Sequence, residues 1–242
     1  MNLTIDIGNT RVKTAVFQKN KMLFNDSCPL KDFKKDTLNI LDKYDIKHAI
    51  ISSVGKLKKE NFKFLIDLVD IHLLTFKTKV RFINKYKTPS SLGVDRIALI
   101  SASVDQFPNT NVLVFDVGSC ITYDFINDKN EYFGGAISPG IEMRYKALHS
   151  FTANLPKLTA ATKIPAVGNT TPNAIHLGVL QGVICEIEGV IELFKAKKQK
   201  LTIVLTGGDT IFLAKNIKST IFANPNFLLE GLNSILKYNI EV

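Results

Sequence analysis

A short tract of the form Asp-apolar-Gly-polar-small, set between two strand-like runs, occurs twice in this chain, the second copy 110 residues after the first. Asp6 falls on Asp116, Gly8 on Gly118, Asn9 on Ser119 and Thr10 on Cys120. Asp and Gly are ordinary turn residues, so matches of this kind also arise by chance. Position argues for duplication. Each copy opens its half of the chain, and each is followed by a second and a third strand pattern at similar spacing.

The elements around the two copies run in the same order. Residues 3–7, 12–18 and 21–26 alternate as strands, with Gly8-Asn9-Thr10 and Lys19-Asn20-Lys21 as the turns between them. A helical period at Phe33, Leu38, Ile40 and Leu41 follows, then a strand over 48–52, a helix through Phe62, Leu65, Ile66 and Val69, and a strand over 71–74. A helix through Ile97–Val104 stops before Pro108, where the chain turns polar. The second half has strands at 112–116, 121–126 and 131–137, a helix after Pro139 and a long helical stretch over 173–198. A strand over 201–205, a helix from Asp209, a short strand near 220–222 and a helix through Phe227–Leu236 complete it. The expected fold class is α/β, with mixed sheets flanked by helices in two domains, 1–107 and 108–242. With 242 residues, 45% of them apolar, the chain can build both cores without staples.

Three cysteines without paired spacing point away from a disulfide framework or a zinc site and towards a reducing, cytoplasmic setting. No apolar run approaches the roughly 18 residues that a membrane span needs, and the N-terminus enters a strand pattern at once. The formal charge of +9 is carried by scattered lysines without interleaved aromatic residues. It reads as solubility and attraction for anionic substrates, not as a nucleic-acid surface.

The first hairpin, Asp6-Ile7-Gly8-Asn9-Thr10-Arg11-Val12-Lys13, contains what a phosphate site needs. Gly8 permits close backbone approach, while backbone amides, the Asn9 amide, the Thr10 hydroxyl and Lys13 can donate to phosphate oxygens. Asp6 can hold Mg²⁺ directly or through water, because magnesium favours one or two carboxylates plus phosphate oxygens. Taken alone, the same residues equally form an Asx-type turn without a ligand.

The paired tracts resemble those of the actin, sugar-kinase and heat-shock-chaperone superfamily. That resemblance implies two ribonuclease H-like domains in tandem with a nucleotide in the cleft between them. Gly93-Val94-Asp95-Arg96, Asp116-Val117-Gly118-Ser119, Gly134-Gly135-Ala136-Ile137-Ser138-Pro139-Gly140 and Thr206-Gly207-Gly208-Asp209, in this order, resemble the type III pantothenate kinases. The implied reaction is transfer of the ATP γ-phosphoryl group to pantothenate, giving 4'-phosphopantothenate, the first step of coenzyme A biosynthesis.

Asp95 opens a helix, where a carboxylate is favoured, and a kinase acting on an alcohol needs a carboxylate to orient the hydroxyl and take its proton. The resemblance makes Asp95 the proton acceptor and Gly93, Val94, Asp95 and Arg96 a pantothenate-binding stretch, with Tyr86 and Thr171 as further contacts. It gives Gly207 and Gly208 to the adenosine loop and Ser119 to the phosphates. The family usually has Thr at that last position, and Ser keeps the hydroxyl. Asp116 would hold a monovalent cation, K⁺ or NH₄⁺; its alternatives are to cap its own turn or to share Mg²⁺ with Asp6. Cys120 stands where a small residue is usual, and an inert small hydrophobe is its plainest reading. A homodimer is implied as well, and Ala174, Gly178, Gly182 and Gly189 on the long helix would allow close helix packing or serve packing within the chain. A regulatory protein that binds the nucleotide without transfer is the alternative function, and a phosphatase of the same fold is a third.

Overall fold

The computed structural model describes residues 1–8, 11–53, 59–197 and 200–241, apart from the side chains of 59–61. Its backbone divides into two compact units, Met1–Asn109 with Asp128–Phe133 and Asn226–Val242, and Thr110–Asn127 with Gly134–Pro225.

The first unit opens with the meander β1 (Asn2–Ile7), β2 (Val12–Gln18) and β3 (Lys21–Cys28). Helix α1 (Phe33–Lys43), β4 (His48–Ser53) and β5 (Asp70–Leu73) follow. The sheet order is β3-β2-β1-β4-β5, antiparallel across the meander and parallel from β1 outward. Alternation along β1 and β4 sends Leu3, Ile5, Ile7, Ala49 and Ile51 to one face, into a core with Phe33, Ile40, Phe62 and Leu65. Lys59–Leu65 is a 3₁₀ helix, not the α-helix expected there. Residues three apart eclipse in that geometry, so Phe62 and Leu65 lie one above the other over the core while Ile66 is exposed. The two-residue strand β6 (Ile83–Asn84), too short to leave a pattern, pairs in parallel with Glu131 and Tyr132.

Thr4 and Asp6 point to the other face of this sheet, which helix α2 (Val94–Gln106) and the C-terminal helix cover. Here the structure departs from the expected boundary of 108–242 for the second domain. The last helix, α6 (Phe227–Ile240 in chain order), packs on α2, β1, β2 and β4. Phe227, Leu228, Leu232, Ile235 and Leu236 are all buried, and the Asn233 amide donates to Lys19 O at 2.8 Å. A Cβ on Gly231 would lie 2.7 Å from the Ala98 carbonyl carbon, so the two helices touch backbone to backbone. One helix does not cover a five-stranded sheet face, and α6 supplies the second.

The second unit repeats the order. Strands β7 (Val112–Val117), β8 (Cys120–Ile126), β9 (Glu131–Pro139), β10 (Thr202–Thr206) and β11 (Phe222–Ala223) lie as β9-β8-β7-β10-β11. β7 is antiparallel to β8 and parallel to β10, as β1 is to β2 and β4. Helix α3 (Ile141–Ser150), α4 (Thr171–Lys195) and α5 (Thr210–Ala214) complete it. Among the described residues α4 alone is long and apolar enough to cross a bilayer by length and composition, although Gln181, Glu186, Glu188 and Glu192 interrupt its apolar run. Its Val179, Leu180, Val183, Ile184, Ile187 and Ile191 are buried in the core of this unit with Leu113, Phe115 and Leu205 from the sheet.

Candidate active site

In the first unit Asp6 lies at the end of β1, in register with Lys13 on β2 and Ser52 on β4. Paired residues share a sheet face, so the Asp6 and Lys13 side chains leave the sheet on the same side at the strand ends. Asp6 is 8% exposed, and Ile7 and Val12 are buried in the core, leaving only backbone for contact with a ligand. Gly8 N–H donates to Arg11 O at 3.1 Å and closes the turn. The Arg11 guanidinium turns to β3, where Nε donates to Ser27 Oγ at 2.8 Å and Nη2 to Ser27 O. Asn9 and Thr10, expected to donate to phosphates, lie outside the described residues.

Gly93 caps α2 with no side chain of its own, and Asp95 folds its carboxylate back over the Gly93 Cα. Arg96 N–H donates to Asp95 Oδ1 at 2.8 Å, and a Cβ on Gly93 would collide with that same oxygen. The carboxylate therefore sits at the positive end of the helix. Arg96 is 5% exposed, and its guanidinium carbon stands 5.6 Å from the Tyr86 ring centroid. Tyr86 in turn stacks on buried Tyr132 with centroids 6.2 Å apart and planes at 11°. Gly93, Asp95, Arg96 and Tyr86 thus form one cluster, held in place by an aromatic stack.

In the second unit Asp116 on β7 is in register with Thr206 on β10, and Gly207 follows at φ +100°. A Cβ on Gly207 would lie 2.5 Å from Val117 O and nearer still to Asp116 Oδ1. Only glycine fits there, on both conformation and space. Asp209 N–H donates to Val117 O at 3.0 Å, Gly118 N–H to Cys120 O at 3.0 Å and Gly140 N–H to Ser119 O at 3.2 Å. A Cβ on Gly140 would lie 2.6 Å from Ser119 O. The Asp116 carboxylate and the carbonyls of the turn are thus gathered over three glycines, with Ser119 exposed at the tip and Gly208 exposed beside them. Burial, and then the Glu142 carboxylate, push Asp209 above the usual carboxylate range.

The donors suit hard cations. Asp116 with neighbouring carbonyl oxygens is the kind of set that holds a monovalent ion. Among the described residues no group of three or more His, Cys, Asp or Glu side chains is placed to cage a metal, so a divalent ion at Asp6 would draw its remaining oxygens from phosphate and water.

Thr171, the first residue of α4, lies on a cavity of about 1120 Å³ with Arg144, Phe151, Asn169, Ala174 and Gly178. It shares this cavity with none of the other expected site residues. Sequence reasoning missed Glu186, whose carboxylate binds both Ser138 and Arg144; its only signal is a charge within an apolar helix. Cys120 is half-buried, and the buried Cys28 thiol is pushed up to about 11 by burial and by Asp36.

A family model described as type III pantothenate kinase matches residues 2–193. Proteins named type III pantothenate kinase from Flavobacterium psychrophilum and Bacteroides fragilis are 46% and 43% identical to the chain. The first match covers 98% of this chain and 99% of that protein, the second 99% and 98%. Among solved structures, a Baf-family protein from Campylobacter jejuni has a TM-score of 0.64 at 24% identity, covering 99% of this chain and 100% of its own. A ROK-family glucokinase from Streptomyces griseus, solved with glucose and AMPPNP, has a TM-score of 0.56 at 8% identity and covers 98% of each chain. These two likenesses are of fold alone, and they agree with the two-domain α/β architecture expected from the repeated tracts. Matched across nearly its whole length by such relatives, this chain belongs to the type III pantothenate kinase family.

Proposed function

We propose that the chain transfers the γ-phosphoryl group of ATP to the primary hydroxyl of pantothenate, giving ADP and 4'-phosphopantothenate. The observation that carries this reading is the Asp95 carboxylate, folded over Gly93 at the N-terminus of α2 and clustered with buried Arg96 and Tyr86. It is a fixed carboxylate beside a cationic and aromatic surface suited to an amide-rich acid.

Asp95 takes the hydroxyl proton as the alcohol oxygen bonds to the γ-phosphorus and the bond to the β,γ-bridging oxygen breaks. Arg96 and Tyr86, with Gly93 and Val94 beside them, hold pantothenate, and Thr171 contributes from the start of α4. The first hairpin donates to phosphate oxygens through its backbone amides, Asn9, Thr10 and Lys13, the second through Ser119; Gly207 and Gly208 face the adenosine. Asp6 would hold Mg²⁺, directly or through water, and Asp116 a potassium or ammonium ion; bound there, these cations neutralise charge on the phosphates.

The enzyme works in the cytoplasm as a homodimer. Beyond the adjoining backbone of α4 itself, no described atom lies within 4 Å of a Cβ built on Gly178, Gly182 or Gly189, so close packing against another element of the chain does not account for these glycines. A second copy against this face of α4 would. The deciding assay is coupled ADP release with and without pantothenate. Turnover that depends on the acceptor supports the kinase; turnover independent of it means a hydrolase, and ADP binding without turnover a regulatory protein.

A further inference from the structure

Glu186 projects from an otherwise apolar stretch of α4, where Val183, Ile184 and Ile187 bind the helix to its sheet. Its carboxylate takes part in none of that packing. Oε1 accepts from the Ser138 hydroxyl at 2.5 Å, and Oε2 accepts from Arg144 Nη2. Arg144 Nε donates to Pro139 O at 2.8 Å, and Arg144 N–H to Gly140 O at 3.0 Å. Gly140 N–H then reaches Ser119 O at 3.2 Å, with its Cα against the Gly118 and Ser119 carbonyls. An unbroken line of bonds runs from α4 to the tip of the second hairpin.

We infer that Glu186 is a positioning residue: by fixing Ser138 and Arg144 it sets where Pro139-Gly140 seats the turn at Val117–Cys120, and so tunes how that turn binds nucleotide phosphate and the cation at Asp116. The inference rests on the function proposed above. The Glu186 and Arg144 side chains are only 27% and 23% exposed, so the pair is partly desolvated. Apolar residues of similar volume commonly match or exceed the stability of such a pair, whereas a guanidinium held at once by the Glu186 carboxylate and by Pro139 O is fixed in direction as well as distance. Stability alone therefore gives little reason for the pair, and geometry gives a good one.

The test compares Glu186→Gln, Arg144→Gln and the double variant with the wild type. Gln keeps one acceptor for Ser138 and turns an amide towards Arg144, so the charge-assisted bond to Arg144 is lost with little change in volume. For Glu186→Gln we expect the Kd for ADP with magnesium, read by calorimetry in potassium buffer, to rise about tenfold. The potassium concentration at half-maximal rate should rise likewise, while the KM for pantothenate stays within about twofold. The double variant should be no worse than the worse single one, because both act through one line of contacts. Melting temperatures are measured alongside. A lowered melting temperature with unchanged ADP affinity and potassium response overturns the inference, and so do additive effects in the double variant. A wild type that binds ADP but shows no pantothenate-dependent turnover sinks the catalytic reading alone, and the calorimetric comparison still decides the role of Glu186.

Discussion

Replacing Gly140 by alanine asks how finely the second hairpin is placed. Gly140 has φ −70°, which alanine adopts freely, so the substitution adds no backbone strain and its effect is purely steric. Its new methyl group would lie 2.6 Å from Ser119 O and 2.9 Å from Ser119 C, against an ordinary contact that begins at 3.4 Å. The obstructing atoms are backbone and cannot rotate away. Gly118 O lies nearer still, so relief requires the Pro139-Gly140 segment and the Gly118-Ser119 turn to separate by more than the 0.8 Å between 2.6 and 3.4 Å. Overpacking of this kind costs about 1–3 kcal/mol. In a chain of this size each kcal/mol lowers the melting temperature by about 2–4 °C.

The functional consequence should be larger than the structural one. A misplacement near 1 Å in a catalytic constellation costs up to about 10² in rate, so kcat/KM for ATP should fall roughly 10- to 100-fold. Asp95, Arg96 and Tyr86 belong to the other compact unit and Thr171 opens a different helix, so the KM for pantothenate should hold within about twofold. Steady-state kinetics with each substrate varied in turn, beside a thermal melt, read all three quantities. Normal ATP parameters accompanied only by a lowered melting temperature would show that the hairpin's position does not matter to the nucleotide.

Asp95→Asn should fold normally, since the Asn Oδ1 can still accept from Arg96 N–H, yet lose about 10² to 10⁴ in kcat, or about 3–5 kcal/mol of barrier lowering; near-normal turnover removes Asp95 from the chemistry. Exchanging potassium for sodium or a bulky organic cation at constant ionic strength should abolish most activity, and Asp116→Asn should blunt the response; equal rates in all three salts refute a cation site there. Asp209 makes no side-chain cap to α5, and its carboxyl is raised by burial and by Glu142, so its charged form opposes folding. Stability attributable to it is full below the ordinary carboxylate range and lost as pH climbs through the raised value, so Asp209→Asn should melt higher than wild type at pH 7, with the gap closing on acidification. Gly182→Ala should raise the helix propensity of α4 by about 1 kcal/mol yet weaken self-association by about tenfold, read by sedimentation; a wild-type monomer with full pantothenate-dependent activity refutes the dimer.

The strands were legible because their polarity alternates: Leu3, Ile5 and Ile7 against Thr4 and Asp6 is a period of two that no helix shares, although both faces of β1 are buried. What the period leaves open is the face on which a later element lands. Helix α6 follows the second half in sequence but covers the first sheet, because β1 and β4 carry Thr4 and Ile50 on a face that α2 does not cover alone. Nothing in the order of residues 226–242 reports that destination. The helix expected around Phe62 failed for a local reason, since apolar residues three apart satisfy a 3₁₀ turn as well as an α-helical one.

At the candidate site the legible part was the residue types, and the illegible part was the space around the glycines. Gly93, Gly140 and Gly207 read as turn residues, and each proves to be a place where a Cβ would strike the Asp95 carboxylate, the turn of the second hairpin, or Asp116. Their role is to let a carboxylate or a carbonyl lie against bare backbone, a three-dimensional fact that spacing along the chain does not encode. Gly178, Gly182 and Gly189 look the same on paper, and their surroundings are open. A glycine with a carbonyl against its Cα is required by the fold of one chain. A glycine with nothing against it, in a helix whose interior it weakens by about 0.5–1 kcal/mol relative to alanine, is not required by the packing of one chain. Measuring the cost of alanine at both kinds of position therefore separates what this sequence needs in order to fold from what it needs in order to assemble.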